Sequence, residues 1–266
     1  MMKIDELIKD GASNLHIVAD FDRTLTKAFI DDKKHKSTFS YVRDGGYLGK
    51  EYTKIASDLF DKYFPYESDQ SVSNEVRVKM MQEWWAVHLK VMVEHGMSKE
   101  VIKKVVEDGA AEPREGLNEF LEILHEKNIP LLIFSSGLGD VIVEFLKREK
   151  HNDKNIHVIA NFFDFGEDGK AKGYKGKLIH VLNKGEVDLN NHDYVKEIKE
   201  RKNVILLGDM IGDSKMAEGI EHDMVLKIAF FNENGENRKR EYEKHYDMLI
   251  LDDGPMNDVN EIIKKV

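Results

Sequence analysis

The stretch HIVADFDRTLT, residues 16–26, is the part of the sequence that most strongly predicts the fold. It opens with a short apolar run and ends in two aspartates, Asp20 and Asp22, followed by Thr24. A run that is continuously apolar rather than alternating is typical of a strand buried on both faces of a parallel sheet. Ligands of open α/β sheets bind beyond the carboxyl ends of the strands, so the two carboxylates are candidate functional groups. The alternative is an ordinary solvated turn, where Asp and Thr are common.

Similar apolar runs recur along the chain, with helical patterns between most of them. They predict further strands at residues 130–136, 156–163, 203–209, 224–231 and 248–253. The clearest helical patterns cover residues 117–127 and 141–150. This order predicts an α/β fold, a doubly wound and mostly parallel sheet. One irregularity is a hairpin turn expected at Asp168-Gly169.

The alternation is interrupted between the first two predicted strands. Residues 27–112 contain no convincing buried strand, whereas 75–95 and 99–108 have helical periodicity. A segment of this length is not expected to be a structureless loop inside a compact domain. We therefore predict an α/β catalytic core made of residues 1–28 and 113–266, with residues 29–112 inserted as a helical cap.

Composition limits the classes of partner and compartment. The 266 residues carry a formal net charge of −10, which disfavours binding to a nucleic acid polymer. There is no cysteine, so thiolate metal sites, disulfides and cysteine nucleophiles are excluded. The charged amino terminus lacks a signal-peptide pattern, and the longest apolar run, 129–134, is too short to span a bilayer. We expect a cytoplasmic monomer without a membrane partner.

A second acidic strand end lies at GDMIGD, residues 208–213. Asp213 has an alternative explanation as a helix N-cap, but Asp209 at the strand end is not needed for capping. Two acidic strand ends in one sheet form an oxygen-ligand site suited to Mg²⁺. This is the cofactor that the sequence predicts.

Two further segments offer groups that suit a phosphate. Ser135 and Ser136 end the second predicted strand, where hydroxyls and free backbone N–H groups can hold an anion, although an ordinary turn is the alternative. Lys175 lies in a glycine-flanked polar segment, GYKGK. It is either a solvated lysine or the positive charge that neutralises a phosphoryl group.

These segments, taken in order, resemble the haloacid-dehalogenase superfamily of phosphohydrolases. Its pattern is DxDxT on the first strand, a Ser or Thr on the second, a later Lys, and acidic residues on the fourth. The stretches IVADFDRTLT, IFSSGLGDVI, NFFDFGEDGKAKGYKGKLIHVLNK and NVILLGDMIGDSKMAEG resemble more narrowly the cytosolic pyrimidine 5′-nucleotidase family, also called cytosolic 5′-nucleotidase III. The similarity is dense at the first strand and over residues 117–220.

The resemblance implies roles for the acidic residues. Asp20 would be the nucleophile that attacks phosphorus and also a magnesium ligand. Asp22 would protonate the leaving oxygen and then activate water, while its backbone carbonyl binds the metal. Asp209 would complete the metal site, and Asp213 would support it.

The resemblance also implies which residues contact the substrate. Ser135, the Ser136 backbone and Lys175 would hold the phosphoryl oxygens, and Thr24 belongs to the same phosphate-binding motif. Lys175 and the magnesium ion would offset the repulsion between the anionic nucleophile and the anionic phosphate.

The family further implies a nucleoside 5′-monophosphate as the substrate. CMP and UMP are the leading candidates, and N7-methylguanosine monophosphate is a further one. The predicted cap carries Glu67, Trp84 and His88, and the last two share a helical face. An aromatic ring can stack on a base, and Glu67 can accept a hydrogen bond from an exocyclic amine. The alternative is that these aromatic residues only pack the helices of the cap.

Two rival functions stay open at this point. One is a phosphatase for another small metabolite such as phosphoserine, although the length and aromatic content of the predicted cap disfavour so small a substrate. The other is a phosphoaspartate switch that signals without sustained turnover.

Overall fold

A six-stranded parallel sheet forms the centre of the computed structural model, which describes residues 2–69, 71–151, 153–184, 193–232 and 235–266. Two short antiparallel hairpins, β2–β3 and β6–β7, lie outside this sheet. The strands are β1 Leu15–Ala19, β2 Phe29–Ile30, β3 Lys33–Lys34, β4 Leu131–Leu138, β5 Ile156–Asn161, β6 Phe163–Phe165, β7 Ala171–Tyr174, β8 Asn203–Gly208, β9 Met224–Phe231 and β10 Met248–Leu251.

The strand order β10-β9-β8-β1-β4-β5 places β1 near the middle of the sheet. The chain runs from β1 outward through β4 and β5, and then crosses to the other side of β1 for β8, β9 and β10. This reversal is the switch point at which such sheets form a ligand crevice. The carboxyl ends of β8, β1 and β4 meet there, so the acidic and hydroxyl side chains that follow these strands come together.

Helices cover both faces of the sheet. Residues of α1, α7, α8 and α11 pack on one face, and residues of α9 and α10 pack on the other. The helices are α1 Met2–Asp10, α2 Thr38–Asp44, α3 Gly49–Tyr63, α4 Pro65–Ser68, α5 Asn74–Glu94, α6 Lys99–Glu107, α7 Leu117–Glu126, α8 Gly139–Arg148, α9 Asp193–Glu197, α10 Glu236–Tyr242 and α11 Asn257–Lys265. The predicted doubly wound α/β class is confirmed.

The apolar runs predicted most of the sheet because the strands are buried. Every residue of β1 and β8 is buried, which is why these runs are continuously apolar. The run 156–163 was predicted as one strand, but β5 ends at Asn161 and Phe163 begins the hairpin that turns at Asp168-Gly169. Gly169 has a φ of 76°, which glycine adopts without strain.

Residues 29–112 leave the sheet and return to it at one point. The N–H of Lys27 donates to the carbonyl of Glu112 at 3.0 Å, and Thr26 forms a bridge with Pro113. Helices α2 to α6 lie in this excursion and share an apolar cluster. That cluster also includes Leu138 and other residues outside the excursion. We call residues 29–112 the helical insertion, and its status as a separate cap domain stays a prediction.

Arg114 stabilises the loop after β1 through its hydrogen bonds. It is a fully buried side chain that donates to the carbonyls of Thr24 at 2.7 Å and Arg23 at 2.6 Å. It also pairs with Asp253 at 2.8 Å and lies 4.1 Å from the ring centroid of Phe230. One cation therefore satisfies several polar groups under the loop that carries Asp20 and Asp22.

Removing this cation should destabilise the fold severely. We expect Arg114→Met to lower the free energy of unfolding by about 3–5 kcal/mol, because it removes the cation that pairs with the partly buried Asp253 and the donor to the carbonyls of Thr24 and Gly254. Urea unfolding measures this change. Arg240→Met removes an exposed arginine and should change the free energy of unfolding by less than about 0.5 kcal/mol. Equal effects of the two substitutions would contradict the role of Arg114.

None of the described helices has both the length and the apolar composition that are needed to cross a bilayer.

Candidate active site

One cavity lies at the carboxyl ends of β1, β4 and β8, and the helical insertion covers it. From the sheet side it is lined by Asp20, Asp22, Arg23, Ser135, Ser136, Gly137, Lys184, Asp209 and Asp213. From the insertion it is lined by Ser37, Phe39, Arg43, Phe60, Phe64, Glu67, Trp84, Trp85 and His88. The cavity therefore has an acidic end on the sheet and an aromatic end on the insertion.

Three carboxylates form the acidic end. Asp20, Asp209 and Asp213 each offer an oxygen, and these oxygens all lie within 4.8 Å of one another. The Oδ2 atom of Asp213 accepts hydrogen bonds from the N–H groups of Asp209 at 3.2 Å and Met210 at 3.0 Å. These bonds orient Asp213 and tie it to the end of β8.

The electrostatics of this cluster favour a bound cation. Burial raises the pKa of Asp20 to about 7, although the nearby Lys184 ammonium opposes the rise. Burial also raises the pKa of Asp209 well above its ordinary value, and the charges of Asp20 and Asp213 add to the effect. Among the described residues, no donor bonds to the Asp209 carboxylate. A set of oxygen donors with excess negative charge fits a hard divalent cation such as Mg²⁺.

Lys184 is the cation that the protein itself brings to this cluster. Its Nζ donates to Asp20 and, at 2.7 Å, to Oδ1 of Asp213. The side chain is 3% exposed, so the charge is held in place by its partners. Lys184 therefore lies directly beside the carboxylate that was predicted to be the nucleophile.

A buried asparagine brings Lys184 to the site. Asn161, at the end of β5, donates from Nδ2 to the carbonyls of Ser136 and Ile179, both at 2.8 Å. Its Oδ1 accepts from the N–H of Ile179 at 3.0 Å. The chain after the β6–β7 hairpin is thereby held against the end of β4, and the turn that follows carries Lys184.

Lys175, the predicted phosphate-binding lysine, does not lie in this cavity. Its side chain is exposed and faces a different groove, beside Asp140. The hairpin before it extends toward the helical insertion, where Ala171 donates to the carbonyl of Met97 at 2.8 Å. The chain returns to the cavity nine residues later, at Lys184, which therefore lies beside Asp20 where Lys175 was expected. No local pattern singled out Lys184, which lies two residues beyond the apolar stretch LIHVL.

Asp22 and Thr24 occupy different environments. Asp22 lines the cavity, and burial raises its pKa to about 6 against the opposing charge of Arg23. Thr24 is fully buried, and its Oγ1 lies 3.5 Å from Oδ2 of Asp20. Thr24 is not among the residues that line the cavity, so it can support Asp20 but has no direct path to a substrate.

Ser135 and Ser136 lie at the cavity as predicted. The Ser135 hydroxyl accepts from the N–H of Gly137 at 3.0 Å, and the side chain is almost completely buried. The carbonyl of Ser136 accepts from Nε1 of Trp85 at 2.9 Å. Trp85 thus joins the helical insertion to the end of β4, which contains both serines.

Glu67, Trp84 and His88 all line the aromatic end of the cavity. Trp84 already stacks on Tyr63, with an interplanar angle of 14°, while its buried Nε1 has no partner among the described residues. Nε2 of His88 lies 3.0 Å from the hydroxyl of Tyr52, and burial lowers the pKa of His88 to about 3. The imidazole is therefore neutral at pH 7. Burial raises the pKa of Glu67, which is half-buried.

Phe60, Phe64 and Arg43 also lie at this end, and sequence reasoning missed the first and the last of them. Phe64 is 44% exposed and stacks on Phe60 at a centroid distance of 4.6 Å. The guanidinium group of Arg43 lies over the Phe60 ring, 4.3 Å from its centroid. The four-residue spacing of the two phenylalanines was a signal for a shared helical face, whereas no pattern pointed to Arg43.

Known structures share this arrangement of elements. A crystal structure of cytosolic 5′-nucleotidase IIIB bound to cytidine superimposes with a TM-score of 0.89 at 26% identity, covering 99% of this chain and 89% of that one. A substrate-bound phosphoserine phosphatase has a TM-score of 0.54 at 18% identity, covering 95% of this chain and 98% of that one, which shows the common fold. Fold and site define a haloacid-dehalogenase-type phosphoric monoester hydrolase.

Sequence comparisons identify the family within that class. The family model described as pyrimidine 5′-nucleotidase (UMPH-1) matches residues 23–266. The human 7-methylguanosine phosphate-specific 5′-nucleotidase is 34% identical over 264 residues, which are 99% of this chain and 88% of that protein. A putative cytosolic 5′-nucleotidase 3 of Caenorhabditis elegans is 31% identical, covering 98% of this chain and 71% of that protein. This chain belongs to the UMPH-1 pyrimidine 5′-nucleotidase family.

Proposed function

We propose that this enzyme hydrolyses pyrimidine nucleoside 5′-monophosphates, CMP and UMP, through a phosphoaspartate on Asp20 and with Mg²⁺. The observation that carries the proposal is the contact of Lys184 with Asp20 and Asp213 at the acidic end of a cavity whose other end is aromatic. A nucleotide has the same polarity, with an anionic phosphate at one end and a flat base at the other.

The reaction has two half-reactions. In the first, a carboxylate oxygen of Asp20 forms a bond to phosphorus while the bond between phosphorus and the 5′ oxygen breaks. Asp22 gives its proton to the leaving 5′ oxygen. In the second, Asp22 takes a proton from water, whose oxygen attacks phosphorus and releases inorganic phosphate and the free Asp20 carboxylate.

Lys184 and the end of β4 bind the transferred group. The Lys184 ammonium, positioned beside Asp20, offsets the negative charge of the phosphoryl oxygens, and Ser135 with the Ser136 backbone offers further hydrogen bonds. Asp20 and Asp209, with the backbone carbonyl of Asp22, would hold Mg²⁺, and Asp213 supports this set. When bound, the ion supplies positive charge that lowers the repulsion between Asp20 and the phosphate.

Metal binding can be tested without turnover. We expect Mg²⁺ at about 100 times its dissociation constant to stabilise the native protein by about 2.7 kcal/mol, because it binds a site that only the folded chain assembles. The thermal midpoint should rise by roughly 5–10 °C, which differential scanning fluorimetry can follow. Asp209→Asn should remove this rise and should raise the midpoint of the metal-free protein, since one of the repelling carboxylates is gone. An undiminished rise in the variant would contradict the metal site.

Arg43 brings a positive charge to the aromatic end, which disfavours a cationic base, while the carboxylates of Asp44 and Glu67 oppose that effect. Arg43 donates from Nε and Nη2 to Asp44 at 2.7 and 3.3 Å, and Nη1 has no partner among the described residues. Its charge is the second cause, after burial, of the low pKa of His88. The base of 7-methylguanosine is cationic, whereas cytosine and uracil are neutral and offer carbonyl acceptors. The related cytosolic 5′-nucleotidase IIIB was crystallised with cytidine, which is the nucleoside product of CMP hydrolysis.

A substrate panel tests the proposal. Phosphate release from CMP, UMP, 7-methylguanosine monophosphate and phosphoserine should be fastest for the two pyrimidine nucleotides. Arg43→Gln should raise kcat/KM for 7-methylguanosine monophosphate relative to CMP by up to about tenfold, because it removes a positive charge that repels a cationic base, and about 1.4 kcal/mol of repulsion corresponds to that factor. The names of several relatives make 7-methylguanosine monophosphate the second candidate substrate. A wild-type preference for that nucleotide would overturn the base assignment, and a preference for phosphoserine would overturn nucleotidase activity.

We further propose that the protein is a cytoplasmic monomer and that neither a nucleic acid polymer nor a membrane is its partner. The name of the nematode relative supports the cytoplasmic location, and the net charge of −10 disfavours a nucleic acid polymer as partner. Light scattering of the purified chain measures the oligomeric state directly.

A further inference from the structure

Asp22 receives two hydrogen bonds from one residue of the helical insertion. Thr38, the first residue of α2, donates from its backbone N–H to Oδ1 of Asp22 at 3.0 Å. Its hydroxyl Oγ1 lies 3.3 Å from Oδ2 of the same carboxylate. Thr38 is only 1% exposed, so water does not compete for these contacts. Both carboxylate oxygens of Asp22, the predicted proton donor, therefore accept hydrogen bonds from the insertion.

The direction of the hydroxyl bond follows from a third contact. The N–H of Leu138, at the end of β4, donates to Oγ1 of Thr38 at 3.0 Å. The contact with Leu138 uses a lone pair of the hydroxyl oxygen and not its hydrogen. The single hydroxyl hydrogen of Thr38 can therefore point at Asp22. The carboxyl group keeps one lone pair on each oxygen for the cavity.

The local backbone is built for this approach. The N-cap of α2 is Ser37, whose side chain accepts from the N–H of Ser40 and leaves the Thr38 N–H for Asp22. Gly137 lies against the same hydroxyl, and a Cβ atom at that position would collide with Oγ1 of Thr38. A side chain at residue 137 would therefore separate the insertion from the end of β4.

A second hydrogen bond joins the insertion to the end of β4. Nε1 of Trp85 in α5 donates to the carbonyl of Ser136 at 2.9 Å. Residues 136–138, at the end of β4, are thus held by Trp85 and Thr38 together. The orientation of Asp22 is coupled to this docking, since Thr38 bonds both to the carboxylate and to the end of β4.

We propose that Thr38 is a positioning residue, which orients Asp22 for proton transfer when the helical insertion is docked on residues 136–138. This rests on the proposed function, in which Asp22 is the general acid. In the step concerned, the bond between phosphorus and the 5′ oxygen breaks, its electron pair goes to that oxygen, and the oxygen takes the proton from Asp22. Thr38 takes no part in the bonds that form or break.

The test compares leaving groups that differ in their need for a proton. A nucleoside 5′ alkoxide is strongly basic and needs a general acid, whereas p-nitrophenolate leaves without one. We expect Thr38→Val, which keeps the shape and the backbone N–H, to lower kcat/KM for CMP by about 10–100-fold, because general acid catalysis contributes roughly 10²–10⁴-fold. The value for p-nitrophenyl phosphate should fall less than threefold. Thr38→Ser, which retains the hydroxyl, should recover most of the activity on CMP.

Several controls separate the possible outcomes. Ser40→Ala removes a nearby hydroxyl of α2 that does not contact Asp22, and it should alter neither substrate by more than twofold. Equal losses on CMP and p-nitrophenyl phosphate in Thr38→Val would overturn the positioning role, since a general structural defect affects both. If Thr38→Val does not fold, Thr38→Ala serves as the second variant, and failure of both to fold would also overturn it. An unchanged rate on CMP in Asp22→Asn would instead refute the general acid of the proposed function.

Discussion

Replacing the nucleophile is expected to remove activity almost entirely. In Asp20→Asn, phosphate release from CMP should fall by at least about 10⁴-fold, because the amide cannot form the phosphoaspartate and the remaining groups retain only part of the catalysis. The variant should nevertheless fold. Asp20 is a buried carboxylate whose pKa is raised to about 7 by burial, so a neutral residue of the same shape suits its environment in the absence of metal.

The control for this substitution is another aspartate changed in the same way. Asp164 lies in the β6–β7 hairpin with a side chain that is 49% exposed, and Asp164→Asn should leave turnover within twofold. Acid-quenched wild-type enzyme incubated with ³²P-labelled nucleotide should carry label that is released by hydroxylamine, as expected for an acyl phosphate. Turnover in Asp20→Asn above about one per cent of the wild type would refute the role of Asp20.

The second large effect is expected at Lys184. Lys184→Met should lower kcat for CMP by about 10²–10³-fold, because it removes a preorganised positive charge beside the reacting group. The substitution also leaves Asp20 and Asp213 facing each other without their ammonium partner, so the metal-free protein should be less stable. Steady-state kinetics with Mg²⁺ present, together with the thermal midpoint, measure the two consequences separately.

Lys175→Met is the matched control for Lys184→Met. The sequence predicted Lys175 as the phosphate-binding lysine, whereas its exposed side chain lies in the groove beside Asp140. We expect Lys175→Met to change kcat less than twofold. A strong loss in this variant, with Lys184→Met nearly active, would restore the sequence-based assignment and refute the one made from the geometry.

The two lysines illustrate why part of the site escaped sequence reasoning. Both follow the β6–β7 hairpin, and neither spacing nor composition decides between them. The choice is made by Asn161, whose bonds to Ser136 and Ile179 set where the chain returns to the sheet. Such a contact joins residues that are 18 and 25 positions apart, and no local pattern encodes it.

The aromatic end shows the same limit in another form. Trp84 and His88 were predicted to share a helical face, and both do line the cavity. Their roles there depend on neighbours from other helices: Tyr63 covers the indole ring, and Tyr52 bonds to the imidazole. Arg43 and Thr38 carried no signal at all, because their positions follow from how α2 docks against the sheet.

The acidic strand ends, by contrast, were predictable from the chain alone. A parallel strand buried on both faces must be continuously apolar, so β1 and β8 and the aspartates that follow them stand out in the residues themselves. Asp20 and Asp209 were therefore identifiable, as was the doubly wound sheet that joins them. Which lysine reaches Asp20, and which threonine holds Asp22, was decided only in three dimensions. The reason is physical: strand patterning is a local property of the chain, whereas these contacts depend on the long-range packing of a hairpin and a helical insertion onto the sheet.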